Sequence, residues 1–176
     1  MIKWFKRFLL YRIYKNTIEG VTKIDKNNNL GVLKNISIIL DHRLGIDKDH
    51  FNKIGKVFNL KKNNIKMMIY NVTPNVDSYL TANNSYTDKD ISNWGTLNEV
   101  LNDFCNIKSD VLINFYDEDD IVLKYISAKT NSNFSVGFNS VDHSLNDLII
   151  EVDAKNIELF TSVCIKYLKI FFTTKK

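Results

Sequence analysis

The chain is poor in three residue types whose abundance would change its class. It holds one proline and six glycines in 176 residues, which excludes collagen-like, linker-rich and low-complexity disordered chains. It holds two cysteines, Cys105 and Cys164, and neither has a Cys or His neighbour at metal-ligand spacing. Both fall among apolar residues of predicted helices, so buried, reduced thiols are expected. No run approaches the ~18–20 apolar residues of a spanning helix. The opening MIKWFKRFLLYRIYK lacks a charge-free apolar core and a small-residue cleavage site, so no signal peptide is read there. A cytoplasmic location follows as an expectation, with membrane-peripheral association compatible. Phosphate fingerprints are missing as well. The stretch DHRLGID after the first firm strand has a single glycine, Gly45, and no G-x-G-x-x-G or G-K-S/T pattern. Neither a cofactor nor a metal is expected.

What remains is an ordinary globular composition, 44% apolar and 25% charged, on a chain long enough for one compact core. Its net charge of +4 is distributed unevenly. Residues 1–34 carry eight Lys/Arg and two acids; the other 142 residues carry sixteen Lys/Arg and eighteen acids. The excess positive charge therefore sits at the N-terminus of a nearly neutral body.

Hydrophobic periodicity predicts a helix over 2–17, with Ile2, Trp4, Phe5, Phe8, Leu9, Tyr11 and Ile13 on one broad side and Lys3, Lys6 and Arg7 opposite. The separation is imperfect. Arg12 and Lys15 intrude on the apolar side, and Leu10 and Tyr14 on the basic side. Gly20 and the run Lys26 to Asn29 mark a loop. ISIILD (36–41) then reads as a strand buried on both faces. A helix over 47–60 with Asp47 as its cap and a strand over 65–72 follow. Residues 73–93 are polar, contain Pro74 and show no clear period, with a short strand at 88–92 as an option. A helix over 96–106 carries a capping-box pattern in Thr96 and Glu99. Beyond it lie a strand at 110–116, a helix at 119–131, strands at 133–138 and 147–152, and a closing helix at 156–172. This alternation implies parallel pairing with right-handed crossovers. The fold class expected is α/β: a three-layer, Rossmann-like or flavodoxin-like domain of about five mostly parallel strands. Residues 1–30 form its basic helical arm and loop, and residues 31–176 its single domain.

Three segments, ISIILD (36–41), residues 110–138 and DLIIEVDAKNIELFTSVCIKYLKIF (147–171), resemble a small uncharacterised family of Bacteroidota proteins with a basic N-terminal helix. The resemblance implies a cytoplasmic α/β protein and no activity. SDVLINFYDEDDIVLKYISAKTNSNFSVGF also resembles the N-terminal lobe of heptosyltransferase-type glycosyltransferases, up to Gly137-Phe138. That likeness implies shared fold geometry, because the chain is too short for the second, nucleotide-sugar-binding lobe.

In an open parallel sheet, ligands bind beyond the carboxyl ends of the strands. That edge brings forward Asp41, His42 and Arg43, then Asn71, then Asp117 and Glu118, then Asn139. Asp41, His42 and Asp117 are the weak catalytic candidates; Arg43, Asn71, Glu118 and Asn139 are the ligand-edge candidates. Asp117 to Asp120 also mark a helix start, where unpaired N–H groups and the macrodipole stabilise carboxylates by ~0.3–1 kcal/mol each. His50 does not pair with His42 at metal spacing. Asp142-His143-Ser144 reads as a surface loop rather than a triad. Trp94 is expected to cover one end of the core. The arm supplies the partner-binding candidates Lys3, Trp4, Lys6, Arg7, Arg12 and Lys15. Their options are packing on the body, docking on an anionic membrane surface, or contact with RNA or the ribosome. The reading carried forward is a non-enzymatic interaction module whose arm docks on an anionic partner. The rival is a small enzyme or ligand-binding domain working at the strand ends.

Overall fold

The computed structural model describes residues 2–19, 30–72 and 84–173. The loop at Gly20 and Lys26 to Asn29, residues 73–83 with Pro74, and the terminal Lys175-Lys176 lie outside the described residues. In chain order the elements are α1 (Ile2–Glu19), β1 (Ile36–Asp41), α2 (Asn52–Val57), β2 (Ile65–Tyr70), β3 (Ser85–Tyr86), α3 (Glu99–Asn106), β4 (Ser109–Phe115), α4 (Ile121–Lys129), β5 (Ser132–Phe138), β6 (Leu148–Ile150) and α5 (Ile157–Phe171). The six strands form one open sheet, ordered β3-β2-β1-β4-β5-β6, and every pairing is parallel. The chain winds outward from β1 in one direction, then returns to β4 and winds outward in the other. The class is α/β, as the alternation predicts.

β1 is buried along its whole length, which suits a central strand covered on both faces. On one face Phe115 of β4 anchors an aromatic cluster. Its ring centroid lies 5.2 Å from Phe51, 5.0 Å from Phe138 and 4.9 Å from Phe160 of α5. Successive residues of a strand point to opposite faces. Tyr116 accordingly turns the other way and meets Ser127 of α4 through its hydroxyl at 2.8 Å. Cys105 and Cys164 are both buried, and burial alone pushes the Cys164 thiol up to about 12.

Several boundaries differ from expectation for local reasons. The sixth strand, β3, is two residues long and too short to show a period; it exists because Ser85 and Tyr86 pair with Ile69 and Tyr70. Residues 88–90 form a 3-10 turn rather than a strand, closed by a capping box between Thr87 and Asp90. Thr96 is not the cap of α3. Ile91 and Leu97 form an antiparallel bridge around Gly95, which has φ +81°, so Thr96 is part of that turn and Asn98 caps the helix instead. The 47–60 helix is a 3-10 turn at Lys48–Phe51 running into α2, and left-handed Asn59 follows its end.

The largest correction concerns α1. Seven consecutive residues of α4, Ile121 to Ser127, are buried. A helix buried on all sides needs a second cover besides the sheet. That cover is α1, which packs on α4. It does so with Leu10 and Tyr14, each fully buried, and with partly buried Ile13. These two residues are the ones that interrupt the basic side in the sequence. The broad apolar side faces outward: Trp4 is 72% exposed, and Phe5, Phe8 and Tyr11 are about half exposed. A periodicity ranks residues by hydropathy, whereas the helix seats itself by the shape and hydrogen bonding of its contact. The turn at Gly95 packs against both helices, because a Cβ there would lie 2.9 Å from Ile13 Cδ1 of α1 and 3.2 Å from the Tyr125 hydroxyl of α4.

Leu10→Ala should therefore cost about 2–5 kcal/mol by urea unfolding, while Phe8→Ala should stay within about 0.5 kcal/mol. Equal losses would contradict this seating. Neither thiol should react with a disulfide reagent in the native protein, and both should react once it is unfolded.

Candidate functional site

The carboxyl end of the sheet brings together some of the predicted residues and separates others. Asp41 ends β1 and is 1% exposed. Its side chain is engaged by its own loop. Arg43 Nε donates to Oδ1 at 3.0 Å and to Oδ2 at 2.9 Å, and the Arg43 backbone N–H donates to Oδ1 at 2.9 Å. The other arm of Arg43 reaches Glu118, in the loop after β4. The guanidinium thus spans the gap between β1 and β4, where the winding direction of the sheet reverses and where such folds hold ligands. The Asp41 hydrogen bond, set against partial burial, raises the Arg43 pKa further.

The four acids after β4 divide their work. Asp120 caps α4 by accepting from Val122 N–H at 2.8 Å. Asp119 pairs with Lys124 and Glu118 with Arg43, while Asp117 is partly buried beside them. The helix-start account therefore covers Asp120 directly. His42 is partly exposed next to Arg43, and Asn71 is buried, its backbone N–H bonded to the Tyr86 carbonyl at 2.8 Å. Asn139 stands apart, exposed in the loop after β5, where its carbonyl meets His143 Nε2 at 2.9 Å. His143 points to that carbonyl and not to Ser144, so no triad forms there. No three His, Cys, Asp or Glu side chains converge at metal-binding distances among the described residues. Two depressions lie away from Asp41, one of about 860 Å³ beside α2 and one of about 460 Å³ between β2 and α3. Their walls mix Lys48, Lys53 and Lys62 with Asp47, Asp49 and Glu158, so their charges largely balance.

Helix α1 has two chemically different sides. Toward the body, Lys6 donates to the carbonyls of Asp88 and Ile91, the latter at 2.6 Å. Arg7 lies 3.9 Å from Asp120, and Lys15 lies 3.3 Å from Asp142. Tyr14 donates to Asp142 at 2.7 Å. Together these contacts tie α1 to the loops after β3, β4 and β5. Arg12 is exposed, with no acid at ion-pair distance among the described residues. The Lys3 side chain lies outside the described residues. Away from the body, Trp4 stacks on Phe8 at 5.8 Å and Phe5 meets Trp94 edge-on at 6.1 Å. Trp94 does not cover the core as expected: it is 74% exposed and extends the aromatic face of α1.

Sequence reasoning missed Asp142 and Asp120 as partners of the arm, since both lie more than a hundred residues away. Leu10 and Tyr14, spaced i and i+4 within the basic side, were the available signal.

Residues 6–171 match the model of a family of unknown function, DUF6913. The chain belongs to that family. No curated protein and no solved structure matches it. Lys6 to Glu19 of α1 fall inside the DUF6913 match, while Ile2 to Phe5, with Trp4 and Phe5 of the aromatic face, precede it.

Asp142 offers a pH test of the α1 seating. Burial alone would raise its pKa, but hydrogen bonds from Ser144, Tyr14 and Lys15 outweigh that and hold it well below the usual carboxylate range. A depressed folded pKa contributes stability above the unfolded value, about 4, and loses it as pH falls below that value. Asp142→Asn should destabilise the protein by about 1–3 kcal/mol at neutral pH. The gap to the parent should narrow as pH drops below about 4; a gap independent of pH would contradict the assignment.

Proposed function

We propose that this DUF6913 protein is a non-enzymatic docking module whose α/β body holds the outward face of α1 against an anionic, cytoplasmic membrane surface. One observation carries the reading: Trp4, Phe5, Phe8 and Tyr11 are exposed on one side of a helix whose other side is tied down at three loops. Trp94 joins that face from a separate loop, which makes a two-element patch. Aromatic rings favour the headgroup region, where apolar bodies and polar edges are both satisfied. Arg7 and Lys15 are paired with Asp120 and Asp142 of the body, so Arg12 is the cation of this face left open to an anionic leaflet, where a cation contributes about 1 kcal/mol. The sole acid of α1 is Glu19, at its far end.

RNA is disfavoured by ring geometry. Base stacking needs open ring faces along a basic groove. Trp4 and Phe8 lie within 13° of parallel at 5.8 Å, stacked on each other, and the body carries no excess of positive charge. The enzyme reading at Asp41 is disfavoured because Arg43 already occupies that carboxylate. No helix among the described residues is long and apolar enough to cross a membrane, so association would be peripheral. The likeness to Bacteroidota proteins with a basic leading helix agrees with a family-wide role for α1. The heptosyltransferase likeness is read as fold geometry without a reaction.

Co-sedimentation with phosphatidylserine-containing vesicles tests the proposal. The protein should pellet with these vesicles and much less with phosphatidylcholine alone. Trp4→Ala with Phe8→Ala should weaken partitioning about tenfold or more, since burying each ring stabilises by about 1.5–3 kcal/mol. Absence of vesicle binding at low salt, or binding to single-stranded RNA in its place, would overturn it.

A further inference from the structure

The near neutrality of the body hides a second gathering of positive charge. Residues 48–66 hold six lysines and one acid, Asp49, whereas the rest of residues 35–176 holds ten Lys/Arg and seventeen acids. All six lysines are exposed. Lys53 lies 3.7 Å from Glu158, but Lys48, Lys56, Lys61, Lys62 and Lys66 have no acid at ion-pair distance among the described residues. The acids nearby are engaged. Asp47 accepts from the Asp49 N–H at 2.9 Å, Asp49 accepts from the Asn52 amide at 3.0 Å, and Glu158 sits beside His50 and Lys53. Lysines alone mark a solvated face; the main chain beside them adds a direction.

The N–H groups of Ile69 and Asn71 donate to the carbonyls of Asn84 and Tyr86, each at 2.8 Å, so these residues turn their main chain toward β3. Alternate residues of a strand turn their main-chain groups the same way. Met67 therefore presents its N–H and C=O to that side. β3 pairs only with Ile69 and Tyr70, and neither Met67 group finds a partner among the described residues. Met67 lines the depression of about 460 Å³, so the first half of β2 borders it with an open edge. The two walls of this depression differ. α3 lies on the α4 side of the sheet, where the Thr130 hydroxyl donates to Cys105 at 3.6 Å, and it contributes Val100, 50% exposed, Asp103 and the adjoining Ile107. The turns flanking α2, on the α5 side, contribute Lys48 and Lys62.

We propose that this edge takes an extended acidic peptide from a protein partner, added as a strand beside residues 65–68. Bonds to the Met67 main chain hold the strand, and its alternating side chains meet the two walls: carboxylates toward Lys48 and Lys62, apolar groups toward Val100 and Ile107. A second copy of this chain fits poorly, because edge-to-edge pairing would bring the lysines of two such edges together, and an edge-strand lysine such as Lys66 opposes self-pairing. Single-stranded nucleic acid fits poorly too. It favours aromatic stacking platforms, and the one aromatic among the described lining residues, Phe104, is 5% exposed. No lining residue belongs to α1, so this edge and the aromatic face can be tested separately.

Fluorescence anisotropy of the full chain with a labelled peptide of alternating Glu and Val, about eight residues long, tests this. Binding at low salt is expected, weakening as salt rises. Lys48→Glu with Lys62→Glu, both at exposed positions, should leave Tm unchanged and weaken binding about tenfold or more. N-methylation of one alternate set of peptide amides should weaken it about as much, and methylation of the other set should not, a difference that charge alone cannot produce. By hydrogen exchange, the Met67 amide should exchange faster than that of Met68, which faces β1, and should slow in the complex. No binding at low salt overturns the proposal. Equal effects of the two methylation sets, an unprotected Met67 amide in the complex, or preference for a duplex RNA over the peptide do the same. Loss of peptide binding in Trp4→Ala with Phe8→Ala would place the contact on α1 and also overturn it.

Discussion

The fold turns on a helix that cannot touch water. α4 is apolar and buried around its circumference from Ile121 to Ser127, so the sheet beneath it is insufficient and a second layer must cover its outer side. α1 is that layer. Leu10 and Tyr14 supply the fit, and Asp142, Asp120 and the carbonyls of Asp88 and Ile91 satisfy the polar groups that come with it. Once α1 is seated in this orientation, its aromatic side has nowhere to point but outward. A packing requirement in the interior thereby creates the most unusual surface of the molecule.

At the carboxyl edge of the sheet the candidate residues engage one another. A doubly wound parallel sheet leaves a crevice where its winding reverses, here between β1 and β4. Arg43 fills it, gripping buried Asp41 with one side of its guanidinium and Glu118 with the other. Removing a carboxylate from water is costly unless a cation and several donors surround it, and Arg43 supplies both the charge and the geometry. Asp41, Arg43 and Glu118 are therefore organised around one another.

Two helix faces on opposite sides of the sheet expose apolar side chains, and they differ in kind. The face of α1 is broad, aromatic and flanked by cations. The face of α5 is narrow and mainly aliphatic, with Leu159 and Ile170 exposed.

Much of this protein was legible before any coordinates. Alternating apolar runs and amphipathic stretches located β1, β2, β4, β5 and the helices from α3 onward to within a few residues, because strand and helix periods are properties of consecutive residues. Parallel pairing followed from the alternation itself. The two-residue β3 escaped, being too short to have a period, and the cap of α3 moved to Asn98 because a bridge between Ile91 and Leu97 claimed Thr96. The sequence alone also determined that positive charge gathers in the first helix. Which side of that helix meets the body, and whether Asp41 faces solvent or Arg43, was decided by tertiary structure. Those outcomes depend on partners such as Asp142, Asp120 and Glu118, tens to more than a hundred residues away. Hydropathy ranks a residue by its own transfer from water, whereas burial ranks it by the shape and polarity of the groups that chain folding brings to it.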